Sequence, residues 1–302
     1  MLYYIVLSRI VKGENLLFCI GGILFPHTKP KGCEKMSISP RTDMARELHG
    51  FRGSVPGVSA ADEAGVFRLS VETDEGAEAV GLPKGNYINL SLRPLLRRED
   101  EAFPKLCGQI ASELQKLLPQ EGCILVAALG NPAMTPDALG SLCADSLIVT
   151  RHLGEILPDF RPLCAIRCGV LGTTGLESAE LVKSAVTLSG CSAVIAVDAL
   201  CAADEEKLCA TVQLSDAGIV PGSGVGNSRA ALNRETLGVP VLSLGVPTVM
   251  DAGTIGGKAG MFVTTRDIDL RVKLAAKLLG YSIDLAVQKG LTVEDVDMLI
   301  SN

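Results

Sequence analysis

Two rhythms of apolar and polar residues run along this chain. Phe67, Leu69 and Val71 alternate with Arg68, Ser70 and Glu72, the period of a half-buried strand. Gly81-Leu82-Pro83-Lys84-Gly85 predicts a turn, and residues 87–92 predict a second strand. Together they predict a small N-terminal hairpin ahead of the main sheet. The rhythm then changes: Leu106, Ile110, Leu114 and Leu117 recur at helical spacing. Residues 123–129 are apolar throughout, as in a strand buried on both faces. Further strands are predicted at 164–167, 193–197, 209–214 and 239–244, with a helix over 176–189 and a long amphipathic helix over 266–288. Thr135-Pro136 predicts a helix start, since Thr caps well and Pro suits the first helical position. Thr292 predicts the cap of a last short helix. Residues 37–65, rich in Gly, Pro and charge, read as an irregular arm. Strands alternating with helices predict an α/β fold: a three-layer α/β/α sandwich on a mostly parallel sheet.

Composition narrows the function. Hydrophobic residues make up 47% of 302, aromatics only 4%, and Trp is absent, so the core is aliphatic. A net charge of −6 argues against a nucleic-acid binder, which needs a basic surface. The ten cysteines include no Cys-x-x-Cys pair and form no zinc pattern with the three histidines. They read as reduced thiols in a cytoplasmic protein. The apolar stretch 16–25 is too short to span a bilayer and lacks a small-x-small cleavage site after it, so neither a membrane span nor secretion is expected. Residues 1–35 read as an upstream extension.

Two aspartates carry the candidate chemistry. Asp198 closes the apolar run Ala193-Val194-Ile195-Ala196-Val197. Asp137 follows the strand and turn ending in Leu129-Gly130-Asn131, and is expected in a first helical turn. Both fall where strands of an open α/β sheet end, the edge where ligands bind. Two carboxylates meeting there can share a proton and activate water. The glycine-dense loop 215–227 is neither a phosphate loop nor a dinucleotide fingerprint. Its backbone amides are expected to line a cleft for a peptide main chain or an oxyanion. Asn131, Asp216, Gly222, Ser223, Gly224, Gly226 and Asn227 are therefore the candidate substrate-binding residues. Asp251 reads as a helix cap, and His152 as structural. No serine stands in a Gly-x-Ser-x-Gly elbow, which leaves a Ser-His-Asp triad without support.

Several segments together resemble the germination protease family of spore-forming bacteria. They are Arg41-Thr42-Asp43, Gly76-Ala77-Glu78-Ala79-Val80-Gly81, Thr135-Pro136-Asp137-Ala138-Leu139-Gly140, Thr150-Arg151-His152-Leu153, Ala196-Val197-Asp198-Ala199-Leu200, Pro221-Gly222-Ser223-Gly224-Val225-Gly226-Asn227 and Glu235-Thr236-Leu237-Gly238-Val239-Pro240. The resemblance implies an endopeptidase that degrades small acid-soluble spore proteins during germination, in the cytoplasm of the forespore and the spore core. It implies a homotetramer with no cofactor and no metal, made as a zymogen that cleaves itself near Ile38 and Ser39. The expected organisation is an extension with pro-segment over 1–38 and a single peptidase domain over 39–302. The family's two essential aspartates fall on Asp137 and Asp198, and its fold is similar to that of hydrogenase-maturation peptidases. A long insertion usual in the family after the segment matching Asp251-Ala252 is missing here. Two other readings are a metal-dependent peptidase of that related type, with Asp137, Asp198 and Asp216 or Asp251 around a divalent ion, and a nucleotide-binding module built on the glycine-rich loop.

Overall fold

In the computed structural model the described residues are 17–20, 23–26, 41–63, 65–227 and 229–301. The chain divides into two compact units, Met1–Ser39 and Pro40–Asn302. In the first, β1 (Leu17–Ile20) and β2 (Ile23–Pro26) pair antiparallel. The apolar stretch thus holds an antiparallel strand pair. No helix among the described residues is long and apolar enough to cross a membrane.

The second unit runs α1 (Ala45–Arg52), β3 (Val58–Glu63), β4 (Val66–Val71), α2 (Asp74–Val80), β5 (Gly85–Ser91), α3 (Arg93–Leu96), α4 (Ala102–Leu117), β6 (Ile124–Leu129), α5 (Leu139–Ala144), β7 (Leu163–Gly169), α6 (Leu171–Thr174), α7 (Ser178–Ser189), β8 (Ala193–Ala202), β9 (Thr211–Ser215), α8 (Arg234–Leu237), β10 (Val241–Asp251), β11 (Phe262–Val263), α9 (Ile268–Val287) and α10 (Val293–Ser301). Nine strands form one sheet in the order β3-β4-β5-β9-β10-β8-β6-β7, with β11 added to β10.

The sheet is mixed, which corrects the expectation of a mostly parallel one. Only β10, β8, β6 and β7 run parallel; β3, β4, β5, β9 and β10 pair antiparallel in sequence. The links explain the split. Parallel neighbours need a long crossover, supplied between β6, β7 and β8 by stretches carrying α5 and α7. The short 203–210 link after β8 cannot carry one, and the chain returns along β9 in the opposite sense.

Two further differences bear on the site. The predicted hairpin of β4 and β5 is part of the main sheet, not a separate hairpin ahead of it. The stretch read as an irregular arm also holds α1 and β3. β3 is almost wholly exposed along its length, so it has no buried face and leaves no alternation in the sequence. Alternate residues of β6 and β8 pack to opposite sides. Ile124, Val126, Ile195 and Val197 join the cluster with α4, α5 and α9, while Leu125, Ala127, Val194 and Ala196 join α7 and α8. Helix α9 is buried on most sides, with Leu278, Leu279, Tyr281 and Ile283 inside, so it is less amphipathic than predicted. Thr292 and Asp295 form the expected cap of α10.

Candidate active site

The site begins where β6 stops. Its ladder with β8 runs from Ile124 opposite Ala193 to Ala128 opposite Val197. Strand β8 continues to Ala202, held from there by β10 alone, with Asp198 opposite Gly245. Asp198 is therefore not the last residue of its strand, as predicted, but the first past the end of β6. The long partner β10 keeps the backbone extended after the apolar run is over. Beside it, Gly130 turns the chain at φ +91°, and a Cβ there would lie 2.1 Å from the Asp137 carbonyl oxygen. Glycine alone accepts both the angle and the contact. The turn brings the Asn131 amide to Asp137, where it donates to Oδ2 at 2.8 Å.

Asp137 closes a 3-10 turn, Thr135–Asp137, and α5 begins only at Leu139. The helix predicted from Thr135 thus starts later. The Asp137 amide bonds Met134 O at 2.8 Å and the Ala138 amide bonds Thr135 O, which tightens the turn before α5 can propagate.

Asp137 and Asp198 both line a cleft of about 410 Å³, with Asp43, Leu129, Gly222, Asn227, Arg229, Thr248 and Phe262 among its walls. Asp198 is 5% exposed. Its Oδ1 accepts the Ala199 amide at 2.9 Å. Burial pushes its carboxyl well above the usual range, and the charges of Asp137 and Asp43 push it further; the Ala199 amide opposes them. Asp137 is raised more moderately, by burial, against the Asn131 amide. The pair thus has unequal proton affinities at one opening.

The other candidates divide. Gly222 and Asn227 line the cleft. Ser223 lines a second cavity of about 260 Å³, which shares Asp43, Asp198, Leu200 and Gly222 with the first. Gly224 packs on Asp43 and Gly226 lies near Arg41. The loop amides are engaged: Ser223 donates to Val220 O, Val225 and Asn227 to Gly222 O, and Gly226 to Ser223 O. The loop thus shapes the cleft without offering these amides to a ligand, contrary to expectation. Asn131 acts through its backbone, and its side chain accepts the Ala133 amide. Asp216 accepts the backbone and side-chain amides of Asn86 and lines neither cavity. Asp251 caps the turn Ala252–Ile255, as predicted, and lies 3.9 Å from Arg41. His152 is exposed. Ile38 and Ser39 lie outside the described residues.

Sequence comparison decides the family. The germination protease profile matches residues 37–298. A germination protease of Clostridium perfringens is 32% identical over 321 aligned positions, covering 86% of this chain and 99% of the relative. One of Caldanaerobacter subterraneus subsp. tengcongensis is 36% identical, covering 86% and 98%, and one of Bacillus cereus is 36% identical, covering 89% and 79%. The chain belongs to the germination protease family. It is accordingly an endopeptidase of spore germination. The 321 aligned positions exceed the residues this chain contributes, so the relative carries stretches with no counterpart here. Among the described residues, no cluster of three or more His, Cys, Asp or Glu side chains is arranged to hold a metal ion. The site residue that sequence reasoning missed is Asp43. Its only signal was membership of the Arg41-Thr42-Asp43 segment.

Proposed function

We propose that this germination protease hydrolyses peptide bonds of small acid-soluble spore proteins with Asp137 and Asp198 as an acid–base pair. The observation that carries this is one cleft lined by a buried carboxylate, Asp198, and a half-buried one, Asp137, with unequal proton affinities. Asp198, the more strongly raised, stays protonated and donates a hydrogen bond to the scissile carbonyl oxygen. Asp137, the less raised, is ionised and takes a proton from water as the water oxygen attacks the carbonyl carbon. The tetrahedral intermediate then breaks its C–N bond, and the leaving amine takes up a proton from the pair. Gly222 and Asn227 wall the cleft on the substrate side.

The same reading includes a zymogen that removes its own pro-segment near Ile38 and Ser39, a homotetramer, and action in the cytoplasm of the forespore and the spore core. Family membership supports each of these. Helices packed on both faces of the sheet support a three-layer architecture similar to hydrogenase-maturation peptidases. The deciding experiment incubates the purified chain with a small acid-soluble spore protein and follows fragments and the enzyme's own N-terminus by mass spectrometry. Intact substrate at catalytic enzyme ratios, with an N-terminus already beyond Ser39, sinks the proposal.

A further inference from the structure

Three thiols gather where the central parallel strands begin, at the opposite end of β6 from the aspartates and about 20 Å away along the strand. Cys123 immediately precedes β6, Cys164 lies in β7, and Cys191 stands just ahead of β8. All three pack on the side of the sheet covered by α7. The Cys123 and Cys164 sulfurs are 3.8 Å apart, and they approach the Ile124 carbonyl oxygen at 3.7 and 3.8 Å. Both side chains are half-buried and open to a small solute, whereas Cys191 is 5% exposed. The backbone around them is fastened. The Ser192 amide donates to Cys123 O at 2.7 Å. Arg161 donates to Glu121 O and Gly122 O, and Arg151 to Leu188 O and Ser189 O. Burial and the neighbouring Cys164 and Cys191 sulfurs push the Cys123 thiol up to about 12, with the Arg151 charge opposing them.

We propose that Cys123 and Cys164 are a redox modification site, a thiol pair that a hydroperoxide converts to a disulfide and a dithiol restores. The inference is independent of the aspartate-pair reading. Burial keeps the proton on Cys123, so Cys164 is the sulfur that attacks the oxidant. Its thiolate forms an S–O bond as the O–O bond breaks, leaving a sulfenic acid; the departing oxygen takes up a proton. Cys123 then attacks the Cys164 sulfur. The S–S bond forms, the S–O bond breaks, and the hydroxide leaves as water with the Cys123 proton. Two thiols lose two electrons, and hydrogen peroxide becomes two waters. Side-chain rotation is enough to bring sulfurs at 3.8 Å to a bond of about 2.05 Å. The consequence follows from topology. Strand β7 is the last on its edge of the sheet, and the closed loop takes in the whole crossover from β6 through α5 to β7, Asp137 included. A clasp there restricts that stretch in the unfolded chain and stabilises the fold.

The test treats the reduced full chain with hydrogen peroxide, blocks the remaining thiols with N-ethylmaleimide and maps the peptides by mass spectrometry, with melting temperature measured in parallel. Cys123→Ser and Cys164→Ser are treated alongside. The expected product is a linked pair of peptides carrying Cys123 and Cys164, about 2 Da lighter than the two reduced peptides together. The melting temperature should rise by several degrees, and dithiothreitol should reverse both changes. Each serine variant should lose the link and the rise. In Cys123→Ser, dimedone should trap Cys164 as its sulfenic acid. A parent in which Cys164 is oxidised to sulfinic acid without a link, or in which Cys191 is the main linked partner, overturns the pairing. A link that leaves the melting temperature unmoved or lower overturns the clasp. If a serine variant does not fold, the peptide map of the parent still decides. No substrate enters the measurement, so none of these outcomes bears on the aspartate pair.

Discussion

At the scale of single residues, a carboxylate's surroundings separate the two aspartates. Asp198 projects from mid-strand with one oxygen on its neighbour's amide, whereas Asp137 is reached by an amide from a tight turn. Replacing either by Asn should cut kcat by roughly 10²–10⁴-fold with the melting temperature little changed. Retained turnover in a folded variant counts against the pair. The same asymmetry predicts a bell-shaped kcat/KM against pH. Activity should rise as Asp137 ionises, above the ordinary carboxylate range because burial raises it. It should fall where Asp198 loses its proton, at distinctly higher pH. A profile with a single ionisation would contradict two working carboxyls. A chelator should leave cleavage unchanged, because the described residues gather no metal-ligating cluster; loss restored by a divalent ion would instead revive the metallopeptidase reading.

At the scale of elements, the turn after β6 and helix α9 make separable demands. Gly130→Ala puts a methyl against the Asp137 carbonyl at a backbone angle that L-residues avoid. It should destabilise by about 1–3 kcal/mol and lower kcat, since the turn cannot shift without moving Asp137. Denaturant melts and kinetics read both effects. Helix α9 buries Asp284, which among the described residues accepts the Ile148 amide and is pushed up to about 8 by burial. Its folded value lies above its unfolded one. Its contribution is therefore intact at acid pH and is lost as pH rises from the carboxylate range through about 8. Asp284→Asn should flatten the fall of melting temperature over that window and be the more stable form at its alkaline end, by a few kcal/mol. Parallel curves for parent and variant would refute the shift. Helices and buried strands were legible here because their apolar periods are long. β3 was not, because an exposed edge strand buries too little to leave a pattern.

At the scale of the whole molecule, the proposed tetramer requires a surface that partners can cover. Ile156, Leu188 and Leu270 are large apolar side chains exposed at 74%, 81% and 65%. Sedimentation should give about four times the chain mass, and a monomer at micromolar concentration would contradict the assembly. The amino-acid sequence alone determined the α/β class and most of the helices and central strands, because burial periodicity is a local signal. It also carried the family, through segments spread from Arg41 to Pro240. The tertiary structure decided the rest. Strand direction depends on which links can cross the sheet, so the mixed order was invisible from local pattern. The length of β8 past Asp198 depends on a partner strand distant in sequence. The neighbourhood of Asp43 depends on hydrogen bonds to residues more than 150 positions away, and no local pattern of apolar and polar residues records a contact of that range.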